Sequence, residues 1–261
     1  MKLLFIFIIT VVLLHQDYKS IKNIPVKADL FLTDIMGNCY LIDRQEITKY
    51  DNFGRKLSSY SNGALGNITY ADASNPLRIL LLYKNFNQII LLDNSFAEIT
   101  EPFYLDNAGI DMIDVACVSN FGGIWVYNST NMELQLYNTG MNLEQTGTNL
   151  SDLIDGNQTP NFLIEKNDNI YLNFPETGIF VFDNLGVYYK TIPIKGLTRF
   201  DVNGSFIRYY KNNKIHNYNH ILLRETDINL PDTSDVIDAS LVNKYLFIFK
   251  TDWLSIYRVK K

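Results

Sequence analysis

Five aspartates carry the chain's best claim to chemistry. Asp72, Asp114, Asp201 and Asp238 sit in the short phrases Ala71-Asp72-Ala73, Ile113-Asp114-Val115-Ala116, Phe200-Asp201-Val202 and Ile237-Asp238-Ala239, and Asp34, after Phe31-Leu32-Thr33, is a candidate fifth. Carboxylates brought to one place bind hard cations such as Ca2+, which can act as a Lewis acid. A bland role competes: each aspartate accepts backbone amides where a repeated unit begins. The recurrence favours that role, because a catalytic site usually breaks a repeat.

Other chemistry is thin. His216 and His220 stand four apart, but Lys214-Ile215-His216-Asn217-Tyr218-Asn219-His220 reads as strand and turn, so the two rings share no helical face and no third ligand accompanies them. Cys39 and Cys117 fall in different, non-adjacent units, and a disulfide needs Cα atoms within about 7 Å; two buried free thiols are expected. Asn67, Asn128, Asn149, Asn157 and Asn203 head Asn-x-Ser/Thr triplets, expected by chance in so Asn-rich a chain. No Walker loop, GxGxxG or GxSxG is present. These residues support no catalytic, cofactor or metal assignment and predict a protein without a cofactor.

The elements that must position these residues follow from a repeat. An aromatic or aliphatic residue, then Asp or Asn, then a short turn recurs at Tyr50-Asp51, Leu92-Asp93, Tyr137-Asn138, Phe182-Asp183 and Tyr218-Asn219, with a truncated copy at Tyr257-Arg258. The spacing stays between 36 and 45 residues. Two β-rich runs precede each copy, such as Ile170–Phe174 and Ile179–Phe182, or Ile124–Tyr127 and Glu133–Tyr137. Apart from Asn173, Glu133 and Gln135 these runs are apolar, as strands buried on both faces are. The aspartate phrases lead each unit, and a polar strand such as Val187–Ile194 ends it.

Four strands in about forty residues is the signature of a β-propeller blade. The expected units are 28–62, 63–107, 108–156, 157–195, 196–234 and 235–261. The last lacks a fourth strand, and Tyr18–Val26 matches Tyr189–Ile194 in pattern. The sequence therefore predicts an all-β, six-bladed propeller spanning 18–261 as one domain, its last blade closed by the N-terminal strand. Blade three is oversized between Asn138 and Pro160. There Ser151–Gly156 is expected to make one helical turn, capped by Ser151, in a loop suited to partner contact.

At 47% hydrophobic and 20% charged, the composition is that of a globular protein, and a net charge of −5 lacks the basic field that nucleic acid requires. Met1-Lys2 precedes Leu3–Leu14, apolar but for Thr10. That length fits a signal peptide and falls short of the 20 or so residues of a spanning helix. Residues 1–17 are thus expected to direct export to the periplasm, without membrane insertion afterwards, and no cysteine at the boundary offers a lipid site.

Phe31–Asp34, Gly37–Asp43 and Ile47–Gly54 together resemble the NHL and YVTN-type propeller repeat, and Gly122–Tyr127 is similar to the two-component-regulator propeller repeat. The Asn- and Ile-rich, short-looped style also resembles small exported propellers of Bacteroidetes, the group that includes the periplasmic plug of the type 9 secretion translocon. Such repeats specify architecture and not activity; with no catalytic motif present a non-enzymatic interaction module is expected, and the resemblance to the exported propellers implies a partner in an outer-membrane secretion or envelope complex. Six-bladed lactonases, which hold calcium in their channel, imply a second reading, a calcium-dependent hydrolase or lyase using the aspartates. A small-ligand sensor or carrier is a third.

Overall fold

The computed structural model describes residues 17–111 and 113–260. The signal-peptide assignment falls on residues 1–17 and so lies outside the described residues, except for Asp17. Six four-stranded antiparallel sheets account for the strands described. Blade 1 comprises β2 (Leu30–Thr33), β3 (Cys39–Asp43), β4 (Glu46–Tyr50) and β5 (Lys56–Ser61), following β1 (Tyr18–Pro25). Blade 2 holds β6 (Tyr70–Asp72), β7 (Ile79–Tyr83), β8 (Gln88–Leu92) and β9 (Phe103–Tyr104), and blade 3 β10 (Ile113–Val118), β11 (Ile124–Asn128), β12 (Glu133–Tyr137) and β13 (Leu143–Thr146). Blade 4 holds β14 (Phe162–Lys166), β15 (Asn169–Phe174), β16 (Gly178–Asp183) and β17 (Tyr188–Ile192). In blade 5 they are β18 (Asp201–Asn203), β19 (Phe206–Lys211), β20 (Lys214–Asn219) and β21 (Arg224–Asn229). Blade 6 has β22 (Val236–Val242), β23 (Tyr245–Lys250) and β24 (Trp253–Val259), and its fourth strand is β1.

The expected closure is present. β1 runs antiparallel to β24 from Tyr18↔Val259 to Pro25↔Trp253. The first and last blades also meet at the inner strands, where the Thr33 and Ser240 hydroxyls lie 2.8 Å apart. Antiparallel sheets joined this way leave no long edge unpaired at the seam.

Burial explains the strand compositions. The middle strands β7 and β8 are buried at every position, because both faces of each sheet pack against neighbouring blades. The outer strands face water on one side and are polar: β5 reads KLSSYS and β21 RETDIN.

The repeated Asp/Asn phrase proves to be a turn between the third and fourth strands. At Asp51, Asp93, Asn138 and Asp183 the side-chain Oδ1 accepts the backbone amides two and four residues on, at 2.7–3.0 Å. The residue three on adopts positive φ, at Gly54, Phe96, Met141 and Gly186. A short acceptor side chain is what this geometry needs. Blade 5 departs from it: Asn219 Oδ1 takes the amides of Ile221 and Leu222, in a longer turn.

The oversized loop of blade 3 also differs from expectation. Its helical turn begins earlier, with the Ile154 amide bonded to the Leu150 carbonyl at 3.1 Å. The cap is Asn149, whose Oδ1 accepts the Ser151 amide at 2.9 Å, not Ser151. Leu150 and Ile154 are buried in the main core, so the segment is a wedge between blades rather than a free loop.

Candidate binding cavity in the central channel

Strand direction alternates along each blade, so the turn after every inner strand emerges on one face, around the channel mouth. Neighbouring turns bond there: Asn243 Nδ2 donates to the Ile35 carbonyl at 3.3 Å, and an Arg78 guanidinium nitrogen to the Ser119 carbonyl at 3.4 Å. A cavity of about 370 Å3 opens below them, lined by inner strands of blades 1, 2, 4, 5 and 6.

Four of the five aspartates reach this cavity, Asp34, Asp72, Asp201 and Asp238, and Asp114 does not. The reason lies in blade 3. The Tyr70 hydroxyl donates to the Leu163 carbonyl and accepts the Leu163 amide, both at 3.0 Å, and Lys166 Nζ donates to the Ser74 carbonyl at 3.1 Å. These contacts join the inner strands of blades 2 and 4 in front of β10. Asp114 itself lies where the β10 register slips between Ile113 and Ala116, and it pairs with Lys84 Nζ.

The four that converge are not equivalent. Asp34 accepts the Met36 and Asn38 amides, Asn38 Nδ2 and the Tyr40 hydroxyl, so its oxygens serve the first turn. Asp72 accepts the Ser74 and Val118 amides, and burial still raises its pKa. Asp201 is likewise raised by burial. Asp238 is pushed up to about 6 by burial, with Arg199 and the Ala239 amide opposing.

Three cations that the repeat pattern did not single out stand among them: Lys166, Arg199 and Arg208. Arg208 donates to the Leu241 carbonyl at 2.7 Å, while its buried Nε has no partner among the described residues. Arg199 lies 3.7 Å from Asp238, longer than a hydrogen bond. The site is therefore a mixed-charge pocket rather than a ring of carboxylates. Its acidic half was legible because it repeats; Arg199 and Arg208 occur in one blade only, so periodicity could not find them.

Asp238 gives a pH test. Its pKa is higher folded than the unfolded 3.8, so its contribution is complete below about pH 4 and lost as the pH rises through about 6. Above that, the buried charge costs about 3 kcal/mol. Asp238→Asn should raise the melting temperature by roughly 6–12 °C at pH 8 and leave it unchanged at pH 4, as read by calorimetry. A fall at pH 8 would mean that Arg199 depends on the ionised carboxylate.

The remaining candidates lie elsewhere. Cys39 and Cys117 are free and buried, as expected, and burial pushes both thiols up. His220 Nδ1 lies 2.9 Å from Lys190 Nζ, and burial and that ammonium lower its pKa. His216 faces Glu225 and Asp227 instead, so the two histidines do not share a site.

The mouth of the channel is two-sided. On blades 1 to 3 its turns expose Ile35, Met36, Leu77 and Phe121, each 58–67% accessible. On blades 4 to 6 the turns are the tight, polar Asn167-Asp168, Gly204-Ser205 and Asn243-Lys244, with Asn167, Asp168, Gly204 and Asn243 at positive φ. Among the described residues no helix is long and apolar enough to cross a membrane.

No family model and no curated protein matches the chain. Solved structures do. The Pan2 WD40 domain of Neurospora crassa aligns over 94% of this chain and 96% of its own, with a TM-score of 0.60 and 8% identity. A catalytically inactive virginiamycin B lyase from Staphylococcus aureus, with quinupristin, aligns over 94% and 100%, with a TM-score of 0.62 and 10% identity. A chain of the mitotic checkpoint complex aligns over 100% and 98%, with a TM-score of 0.65 and 8% identity. At such identities the likeness is one of fold, and the chain is a six-bladed β-propeller.

Proposed function

We propose that this propeller is a non-enzymatic scaffold, exported to the periplasm, that docks a protein partner on the channel-mouth face. The observation that carries the reading is the arc of exposed Ile35, Met36, Leu77 and Phe121 on the mouth turns of three successive blades. Exposed apolar side chains clustered on a fixed frame are what an interface core uses, and a polar rim beside them supplies orientation. WD40 and checkpoint-complex chains of the same fold lend the scaffold reading support by analogy only. In its sharpest form the partner belongs to an outer-membrane protein secretion complex, with this chain in the place of a periplasmic plug or adaptor. Affinity capture of the tagged chain from detergent-solubilised native envelope tests it: a stoichiometric protein partner is expected, and a partner-free monomer overturns it.

A second reading, a small-ligand sensor or carrier, rests on the cavity itself. Lys166, Arg199 and Arg208 line it together with Asp201 and Asp238, whose carboxyls burial raises. Such a pocket suits a small molecule with both donor and acceptor groups.

A further inference from the structure

We propose that blade 5 carries a binding site for one divalent transition cation, formed by His216, Glu225 and Asp227 on its outer two strands. His216 on β20 is paired directly with Asp227 on β21, and Glu225 lies two residues back on the same face of that strand. Nδ1 of His216 is 3.0 Å from Glu225 Oε1 and 3.0 Å from Asp227 Oδ1. The three ligand atoms all lie within 4.8 Å of one another.

The other ring nitrogen fixes the chemistry. His216 Nε2 lies 3.1 Å from the Lys211 carbonyl, which can only accept, so Nε2 carries the proton. Nδ1 then turns its lone pair toward two carboxylate oxygens. Three acceptors facing one another need a cation between them, and a single proton on Nδ1 can point at only one of the two oxygens. A metal ion satisfies all three. An octahedron with bonds of about 2.1 Å has edges of about 3.0 Å, the separation found on both sides of Nδ1.

Each ligand is also held from behind. The Lys211 carbonyl orients the imidazole, the Tyr209 hydroxyl donates to Glu225 Oε2 at 2.7 Å, and Lys214 Nζ donates to Asp227 Oδ2 at 2.9 Å. Tyr209 further stacks on the His216 ring, with centroids 4.9 Å apart. Outer partners on every ligand are the usual arrangement of a metal centre. Imidazole with carboxylates suits zinc, manganese, cobalt or nickel, and Glu225 and Asp227 are exposed enough for water to complete the shell.

The test is titration of the intact chain, free of any polyhistidine tag, with Zn2+ by calorimetry and with Co2+ by visible absorption. One equivalent of Zn2+ is expected to bind, with Co2+ giving ligand-field bands. His216→Ala should weaken binding by about 100-fold or more, and Tyr209→Phe by about 10-fold at unchanged stoichiometry. His220→Ala should change nothing. Should His216→Ala fail to fold, the double variant Glu225→Gln with Asp227→Asn, on the solvent-facing outer strand, must abolish binding in its place. Absence of binding at millimolar Zn2+, or one equivalent that survives these substitutions, overturns the proposal.

Discussion

A chain that begins at Val26 instead of Asp17 will lose its cooperative thermal transition. The deletion removes β1, and with it every hydrogen bond along one edge of β24. It also exposes the apolar cluster in which Ile24 packs with Leu254, Ile256, Phe247 and Phe31. A handful of ladder bonds at roughly 1 kcal/mol each, plus that burial, amounts to about 5 kcal/mol or more, which is comparable with the whole stability of a domain. The freed β24 is a long unpaired edge, so aggregation should accompany the loss. Calorimetry and light scattering check this. A truncated chain melting within a few degrees of the full one would show that the ring does not depend on its seam.

Gly178→Ala should be strongly damaging for so small a change, as the same substitution should be at Gly123, whose added Cβ would also meet a backbone oxygen. Gly178 opens β16 at φ +130°, a backbone conformation that side chains rarely adopt, and a Cβ there would stand 2.4 Å from the Ile192 carbonyl oxygen. Neither atom belongs to a flexible side chain, so β16 and β17 must separate. The expected cost is about 3 kcal/mol or more, read as a shift in the denaturation midpoint at unchanged slope. Gly109→Ala serves as a control, since nothing lies within 4 Å of its Cβ position, although φ is +70° there. Equal effects at the two glycines would place the cost in backbone strain alone and contradict the clash.

The architecture was legible because a propeller writes itself repeatedly. The Asp/Asn turn at residues 51, 93, 138 and 183 answers to one hydrogen-bond pattern, and the apolar runs answer to burial on both faces. The seam was legible too, because β1 carries the outer-strand pattern without a blade of its own. What escaped was whatever breaks the repeat. Asp114 reads like Asp72, yet the Tyr70–Leu163 bridge shuts blade 3 off from the cavity. Arg199 and Arg208 enter the pocket from one blade, with no periodic signal. His216 has His220 as its neighbour in sequence, whereas Glu225 and Asp227 face it from the adjoining strand, a pairing that spacing along the chain does not reveal. The cap of the blade 3 turn slipped from Ser151 to Asn149 because either residue can cap, and burial of Leu150 and Ile154 decided between them.

A protein partner is expected to sit on the apolar arc at the channel mouth. The most direct test compares capture by the native chain with capture by a chain carrying Ile35→Glu, Met36→Glu, Leu77→Glu and Phe121→Glu, from the same solubilised envelope. All four side chains are exposed on turns, so folding should survive, as circular dichroism and melting would verify. One stoichiometric partner is expected for the native chain and at least about a 100-fold loss for the variant, since removing a few central anchors takes away most of an interface's energy. Equal recovery of the partner by both chains would contradict it.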